Sequence, residues 1–358
     1  TPGSKFLTAF EAFWNGWASA RNNIKCIVCG SATSWIADNM INNHGGLYGR
    51  QTCEIKLRPF TLNECEQYFA SRDIEFTRYD IAEIFMTVGG IPYYLDQFKK
   101  GYSVAQNIDR LFFAPDAPLK NEFNRLFSSL FSKPEQYIKT IRKLATRHYG
   151  YSRTEISDYL GVSSGAGLTK LLNSLEASNF IISYRPADSQ RREILYRLTD
   201  PMCGFFLRFV ENSKNNDPSY WQHNQNSAPI NSWRGIAFED LCISHIDQIK
   251  KALGISGVAT TESTLTLRGD GNNKGTQIDL VIERNDRVVN LCEMKFYNSQ
   301  FAIDKDYDLT LRNRINLLYS YLSRSQTIHL TLITTFGLQF NKYSGIVQQC
   351  LNLDDLFQ

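Results

Sequence analysis

Two acidic side chains and a lysine in the last third of the sequence are spaced as phosphodiester chemistry requires. Asp279 sits in the apolar alternation Gln277-Ile278-Asp279-Leu280-Val281-Ile282, and Glu293-Met294-Lys295 falls on the next strand-like run. Side chains alternate along a strand, so Glu293 and Lys295 share a face. The intervening Glu283-Arg284-Asn285-Asp286-Arg287 reads as a hairpin turn. A three-residue loop centred on Asp286 sets Asp279 opposite Glu293, with Cβ atoms about 5 Å apart. A two-residue loop at Asn285-Asp286 instead pairs Asp279 with Cys292 and turns it away from Glu293. In the first register the two carboxylates hold Mg2+, which polarises a phosphate and lowers the pKa of a bound water. Lys295 then orients that water and stabilises developing charge. Glu239, in Gly235-Ile236-Ala237-Phe238-Glu239, supplies a further carboxylate from a helix. Surface hairpins often carry such residues, so the motif alone is weak. The apolar alternation and the order of elements around it strengthen it.

Those elements read helix (233–253), strands (260–267, 276–283, 288–296), helix (308–323) and strand (327–334). Residues 212–232 are rich in Asn, Ser, Gln and Asp and are expected to be a linker. Upstream, 133–199 reads helix, helix, helix, hairpin. Ser152 and Glu155 form a capping box, and Leu168, Leu171, Leu172 and Leu175 mark the inner face of the third helix. This order is that of a winged helix-turn-helix. Residues 133–200 hold 11 basic against 7 acidic side chains, more than the excess of +3 in the whole chain. Lys170 on the third helix and Arg191 and Arg192 on the wing suit phosphate contact, with little for base readout. Docking to protein is an equal alternative for such a unit.

In the first part of the chain, aromatic residues from Phe6 to Trp17 repeat at helical spacing, which predicts a core-facing helix. A buried strand is expected at 24–29, ending in Gly30-Ser31, and a second strand at 52–57. Thr61 and Glu64 have capping-box spacing at the start of a helical block. A second helix of that block stops at Gly89-Gly90, and Pro92 restarts the chain.

With 358 residues, 42% of them hydrophobic and 21% charged, the chain is long enough for two or three ordinary globular cores. Eight scattered cysteines read as buried free thiols suited to a reducing cytosol, and Cys26-Ile27-Val28-Cys29 lacks the second pair a zinc site needs. No apolar stretch is long enough to span a bilayer, and no signal peptide pattern opens the sequence, so a cytoplasmic protein without membrane partners is expected. The five histidines have no metal-like spacing, and no Gly-x-Ser-x-Gly elbow is present. Residues 231–358 carry 13 basic and 14 acidic side chains, fewer positive charges than a DNA-cleaving domain commonly has. The first residue is Thr1, which makes an excised piece of a longer protein the expectation.

The Asp, the Glu-x-Lys one strand later and the preceding helical Glu, over about 233–334, resemble the restriction-endonuclease-like PD-(D/E)xK superfamily. The first part resembles the archaeal-type ATPases within the AAA and STAND-like P-loop proteins. That likeness rests on Phe10-Glu11-Ala12-Phe13-Trp14, Ile27-Val28-Cys29-Gly30-Ser31-Ala32, Gly45-Gly46-Leu47, Leu57-Arg58-Pro59-Phe60 and Gly89-Gly90-Ile91-Pro92-Tyr93-Tyr94-Leu95. The resemblance implies an α/β multidomain chain: part of an AAA core (1–60), a helical lid (61–130), a winged helix (131–211), a linker (212–232) and a restriction-endonuclease-like domain (233–358). It also implies that Ser31 senses the γ-phosphate and that Arg50 is an arginine-finger candidate. A strand-end turn and a solvated arginine are the plainer readings of those two residues. No Gly-x-x-x-x-Gly-Lys-Ser/Thr occurs, so ATP binding belongs to the intact parent and the phosphate-binding half is expected on a missing N-terminal piece. The resulting expectation is a Mg2+-dependent nuclease-like domain acting on DNA. The alternative is a non-catalytic domain that binds nucleic acid or a partner under control of the parent's ATPase.

Overall fold

The computed structural model describes residues 5–30, 46–185, 193–211, 217–267, 275–322 and 325–358. In its first part the sequence expectation fails in three places. Helix α1 (Phe6–Gly16) forms, and Phe6, Phe10, Phe13 and Trp17 stack on one another along it, but none of its residues is buried. The strands expected at 24–29 and 52–57 are irregular, and Ile27, Ile55 and Leu57 are 89%, 76% and 86% exposed. A buried strand must satisfy its backbone groups on both edges, and no strand among the described residues pairs with either segment. Cys26, Cys29 and Cys53 are therefore exposed, Cys350 is exposed on the strand Gln349–Leu351, and only Cys65, Cys203, Cys242 and Cys292 are buried thiols.

From Thr61 onward local sequence and structure agree. Helix α2 (Leu62–Ala70) opens in the expected box: Glu64 N–H donates to Thr61 Oγ1 at 3.3 Å and Thr61 N–H to Glu64 Oε2 at 2.8 Å. Helix α3 (Arg78–Val88) starts in a second box made by Thr77 and Asp80, and every residue from Ile81 to Val88 is buried. Gly89 ends it at φ +71, and Pro92 starts α4 (Pro92–Leu95) at its first turn. Gly90 has a separate reason to be glycine. Phe60 N–H donates to its carbonyl at 2.7 Å, and a Cβ there would lie 2.0 Å from the Phe60 carbonyl oxygen. Helices α5 (Val104–Ile108) and α6 (Glu122–Leu130) complete the block.

A second unit follows: α7 (Pro134–Leu144), β1 (Tyr151–Ser152), α8 (Arg153–Leu160), α9 (Ala166–Ala177), β2 (Ile181–Tyr184) and β3 (Leu195–Leu198). The strands form an antiparallel sheet of order β1-β3-β2, with Ile181 opposite Leu198. Leu168, Leu171, Leu172 and Leu175 are buried on the inner face of α9, and Ser152 and Glu155 form their capping box. Residues 186–192, including Arg191 and Arg192, lie outside the described residues.

The stretch expected as a linker is packed in its described part. After α10 (Pro201–Phe205), Trp221 in α11 (Tyr220–Asn224) is fully buried among Phe205, Phe209 and Trp233. The Asp109 carboxylate accepts from the amides of Trp221 at 2.7 Å and Gln222 at 3.1 Å, tying α11 to the helical block. Its polar composition hid one large apolar anchor, and a single buried indole is enough to hold a short helix.

The last part is a five-stranded mixed sheet of order β10-β8-β6-β5-β4, built from β4 (Thr260–Leu267), β5 (Thr276–Arg284), β6 (Val288–Lys295), β8 (Thr327–Thr334) and β10 (Gln349–Leu351). The pairs β4/β5 and β5/β6 are antiparallel, whereas β6/β8 and β8/β10 are parallel. A short parallel pair, β7 (Phe301–Ala302) with β9 (Leu338–Gln339), stands apart. One face packs Leu280, Ile282, Cys292 and Met294 with Phe238, Leu241 and Cys242 of α12 (Ala228–Ser244). The other packs Val281, Val289, Leu291 and Leu332 with Leu311, Leu317 and Leu318 of α14 (Lys305–Tyr321). The single helix expected over 233–253 breaks at His245, after which α13 (Ile246–Ala252) begins.

One apolar core runs through the helical block, the second unit and the α12 face of the sheet. Tyr79 of α3 stacks on Phe296 and Phe336, which follow β6 and β8. Arg234 of α12 pairs with the buried Glu83 of α3, and Leu62 N–H donates to His245 Nε2 at 3.0 Å. The final turn (Leu353–Phe357) buries Leu356 and Phe357 against the helical block, with Arg78 and Asp354 paired at 3.0 Å. One apolar core thus runs across the expected boundaries at 130, 211 and 232, the last of which falls inside α12.

Gly90→Ala should cost about 1–3 kcal/mol, because its methyl group collides with backbone rather than with a movable side chain. Urea unfolding of the full chain checks this, and a midpoint equal to that of the unsubstituted protein would refute the close approach.

Candidate active site at the open end of the β5–β6 hairpin

The site begins with the turn that joins β5 to β6. Arg287 N–H donates to the Arg284 carbonyl at 3.2 Å, and Arg287 adopts φ +67. A three-residue hairpin loop needs a left-handed residue at this place. The ladder then runs from Glu283 opposite Val289 to Leu280 opposite Cys292. The three-residue loop is the odd one of the two that the sequence left open, and its pairs end one residue short of Asp279 and Glu293. The β5–β6 ladder stops there. Beyond it β5 follows β4, with Ile278 opposite Leu265, and β6 follows β8, with Glu293 opposite Leu332 and Lys295 opposite Thr334. The β4–β5 register shifts between Ser263/Val281 and Leu265/Ile278, so Asp279 and Leu280 stand against the single residue Thr264, whose Oγ1 donates to the Asp279 carbonyl at 3.0 Å. Each strand therefore keeps only its outer neighbour where the acidic residues stand.

Glu293 is buried, 6% exposed, and both of its oxygens are engaged. Oε1 accepts from Lys295 Nζ at 2.8 Å and from the Tyr307 hydroxyl, and Oε2 accepts from Arg314 Nη1. Burial alone would raise its pKa, but the charges of Lys295 and Arg314 and the hydrogen bonds of Lys295 and Tyr307 hold it below the ordinary carboxyl range. Burial and the adjacent carboxylate push the Tyr307 phenol well up, so it keeps its proton and donates. Arg314 Nε donates to Thr276 Oγ1 at 3.2 Å. Asp279 Oδ1 accepts from Gln277 Nε2 at 2.9 Å, a neutral partner.

Glu239 approaches from α12. Burial raises its pKa to about 8, the negative charges of Asp279 and Asp240 add to the rise, and His148 and Lys295 oppose it. His148 Nδ1 lies 3.8 Å from Glu239 Oε2, and its Nε2 lies 3.3 Å from Asp240 Oδ1. Burial disfavours the charged imidazole, yet the hydrogen bond and charge of Asp240 outweigh it and raise the His148 pKa. Arg197 of β3 also reaches Asp240 Oδ1, at 3.2 Å. Glu239, Asp279 and Lys295 thus share one electrostatic neighbourhood, walled by the three-stranded unit.

Sequence reasoning singled out Glu239, Asp279, Glu293 and Lys295 and missed Tyr307 and Arg314. A signal for the latter two was available. Tyr307, Leu311, Arg314 and Leu318 recur at 3–4-residue spacing along α14, and the leucines are buried. An arginine inside an apolar helical stripe requires a buried acidic partner. Of the other residues singled out, Lys170 is exposed on α9, where Arg153 Nη2 bonds the hydroxyl of neighbouring Thr169 at 2.8 Å. Arg50 is exposed in a turn, its amide bonded to the Leu47 carbonyl at 3.2 Å. Ser31, Arg191 and Arg192 lie outside the described residues. Among the described residues no group of three or more His, Cys, Asp or Glu side chains is gathered as a metal cluster, and no helix is long and apolar enough to cross a membrane.

No protein-family model matches the chain. Over 276 residues it is 24% identical to an uncharacterised protein of Methanocaldococcus jannaschii, MJECL04, a match that covers 76% of this chain and 60% of the relative. The solved Walker-type ATPase PABY2304 of Pyrococcus abyssi aligns with a TM-score of 0.39 at 21% identity, over 57% of each chain. The chain therefore spans less than two thirds of the length of either protein. At this level the fold and site define a mixed α/β protein with a clustered carboxylate–lysine site.

Between about pH 4.5 and 8 the folded chain keeps the Glu239 proton that the unfolded chain has lost, so its contribution to stability falls as pH rises through that window. Glu239→Gln retains the neutral form at every pH. Urea midpoints at pH 5, 6.5 and 8 should show the unsubstituted protein losing stability relative to the variant as pH rises. A constant difference between the two proteins would contradict the protonated state.

Proposed function

We propose that this chain carries a divalent-cation-dependent phosphodiesterase site of the restriction-endonuclease-like kind, acting on DNA. The observation that supports it most is the odd three-residue turn, whose ladder ends one residue short of Asp279 and Glu293 while Lys295 bonds Glu293. The mixed sheet with a helix on each face and Glu239 on the upstream helix agree with that reading. The donor set suits Mg2+, since Asp279 and Glu293 offer hard carboxylate oxygens with no competing sulfur. When bound, the ion would polarise the phosphate and lower the pKa of a water.

The chain's own residues have separate tasks. Asp279 holds an oxygen toward the gap where the two strands part, with Gln277 fixing its orientation. Lys295 carries positive charge beside the reacting phosphate, where it stabilises the charge that builds as the ester breaks. The three-helix unit, read as a winged helix, packs beside the site through His148 and Arg197 and would hold the duplex. Lys170, Arg191 and Arg192 would contact its phosphates. In the whole protein an AAA-type ATP-binding core would act on this pair of domains, with Ser31 sensing nucleotide and Arg50 serving as the finger.

A second reading, a non-catalytic domain that binds nucleic acid or a partner, draws support from Glu293, whose oxygens already serve Lys295, Tyr307 and Arg314. Cleavage of supercoiled and linear DNA with Mg2+ or Mn2+ separates the two. Asp279→Asn and Lys295→Ala should each lower the rate about 100-fold or more while DNA binding persists. Cleavage untouched by both substitutions would remove the assignment. DNA binding without any cleavage, with or without metal, would establish the second reading.

A further inference from the structure

Glu293 has more positive charge against it than an internal ion pair requires. One carboxylate faces the Lys295 ammonium and the Arg314 guanidinium, and the Tyr307 phenol adds a third donor. A buried anion is balanced by a single cation, and desolvating a second one costs free energy that the pair does not return. Arg314 is not sealed into the interior, its side chain being 19% exposed. Its Nε rests on the neutral Thr276 hydroxyl at the start of β5, three residues before Asp279. Guanidinium, ammonium and phenol are a donor set that fits the oxygens of a phosphodiester.

We infer that Arg314 and Tyr307 are phosphate-contacting residues of this site, stored on Glu293 until a divalent cation takes that carboxylate. The inference deepens the phosphodiesterase reading and rests on it. Glu293 and Asp279 together balance Lys295 and Arg314, so the described cluster is neutral as it stands. A dication entering beside Glu293 competes with both cationic side chains for its oxygens and leaves them with donors lacking an acceptor. A phosphate monoanion supplies that acceptor and offsets part of the added charge. Cation and phosphate thus enter as a pair, each making room for the other. Without a cation the same contacts close the site.

The test uses the full chain with Mn2+ as the probe, titrated by loss of the free-ion electron paramagnetic resonance signal. Arg314→Gln removes a competing cation from Glu293 and should tighten Mn2+ binding about tenfold, and Tyr307→Phe, which deletes one hydroxyl and leaves packing intact, about threefold. Asp279→Asn should weaken it about tenfold or more. At equal Mn2+ occupancy, broadening of the 31P line of dimethyl phosphate, a diester that resists hydrolysis, should drop several-fold in Arg314→Gln and Tyr307→Phe. Unchanged Mn2+ affinity in both variants, with Asp279→Asn still weakened, overturns the storage role and leaves the cation site standing. Tighter Mn2+ binding with undiminished 31P broadening overturns the phosphate contact. Absence of Mn2+ binding from the unsubstituted chain and from Arg314→Gln removes the cation site, and the phosphodiesterase reading with it.

Discussion

The turn between β5 and β6 takes three residues, and that odd number determines what the last part of the chain can be. A β-strand changes face at every residue, so a turn one residue shorter would exchange the faces of β5 against those of β6. Arg287, in a left-handed conformation that few non-glycine residues adopt, holds the count. The same register assigns Leu280, Ile282, Cys292 and Met294 to one core and Val281, Val289 and Leu291 to the other. The turn and the apolar pattern of both faces are thus satisfied together.

Where the β5–β6 ladder ends, polar chemistry replaces it. Asp279 loses a cross-strand neighbour, and Thr264 takes up its carbonyl where the β4–β5 register shifts. Glu293 turns to α14 for donors, and Glu239 arrives from the opposite side of the sheet. Helices on both faces therefore meet at one opening, with His148 and Arg197 of the preceding unit closing its flank. This convergence links the candidate site to elements far apart in the chain.

Local rules were read from the sequence with success where a few residues fix the outcome. The capping boxes at Thr61 and Ser152, the glycine stop before Pro92 and the leucine face of α9 need only their neighbours. The limits of β4, β5, β6 and β8 were legible to within a residue or two for the same reason, whereas the short β10 was missed. Segments 24–29 and 52–57 have the composition of buried strands, yet a strand exists only with a partner, and composition carries no information about partners. Trp221 was lost inside a polar stretch because average composition hides one anchoring residue. In the site, the acids and the lysine announced themselves by spacing. Arg314 lay on a helix read only for its limits, Tyr307 lay just before the expected start of that helix, and both meet Glu293 from a strand many residues away.

Residues 353–357 lie against α2 and α3, so contacts between the beginning and the end of the described fold span some 270 positions of sequence. Loops of that length close late, because the entropy of bringing distant segments together is lost before their contacts form. During synthesis, the surface formed by α2 and α3 must wait uncovered while the intervening units assemble. The helical block should therefore fold in at least two kinetic phases, the slower one timed by the arrival of Leu356 and Phe357.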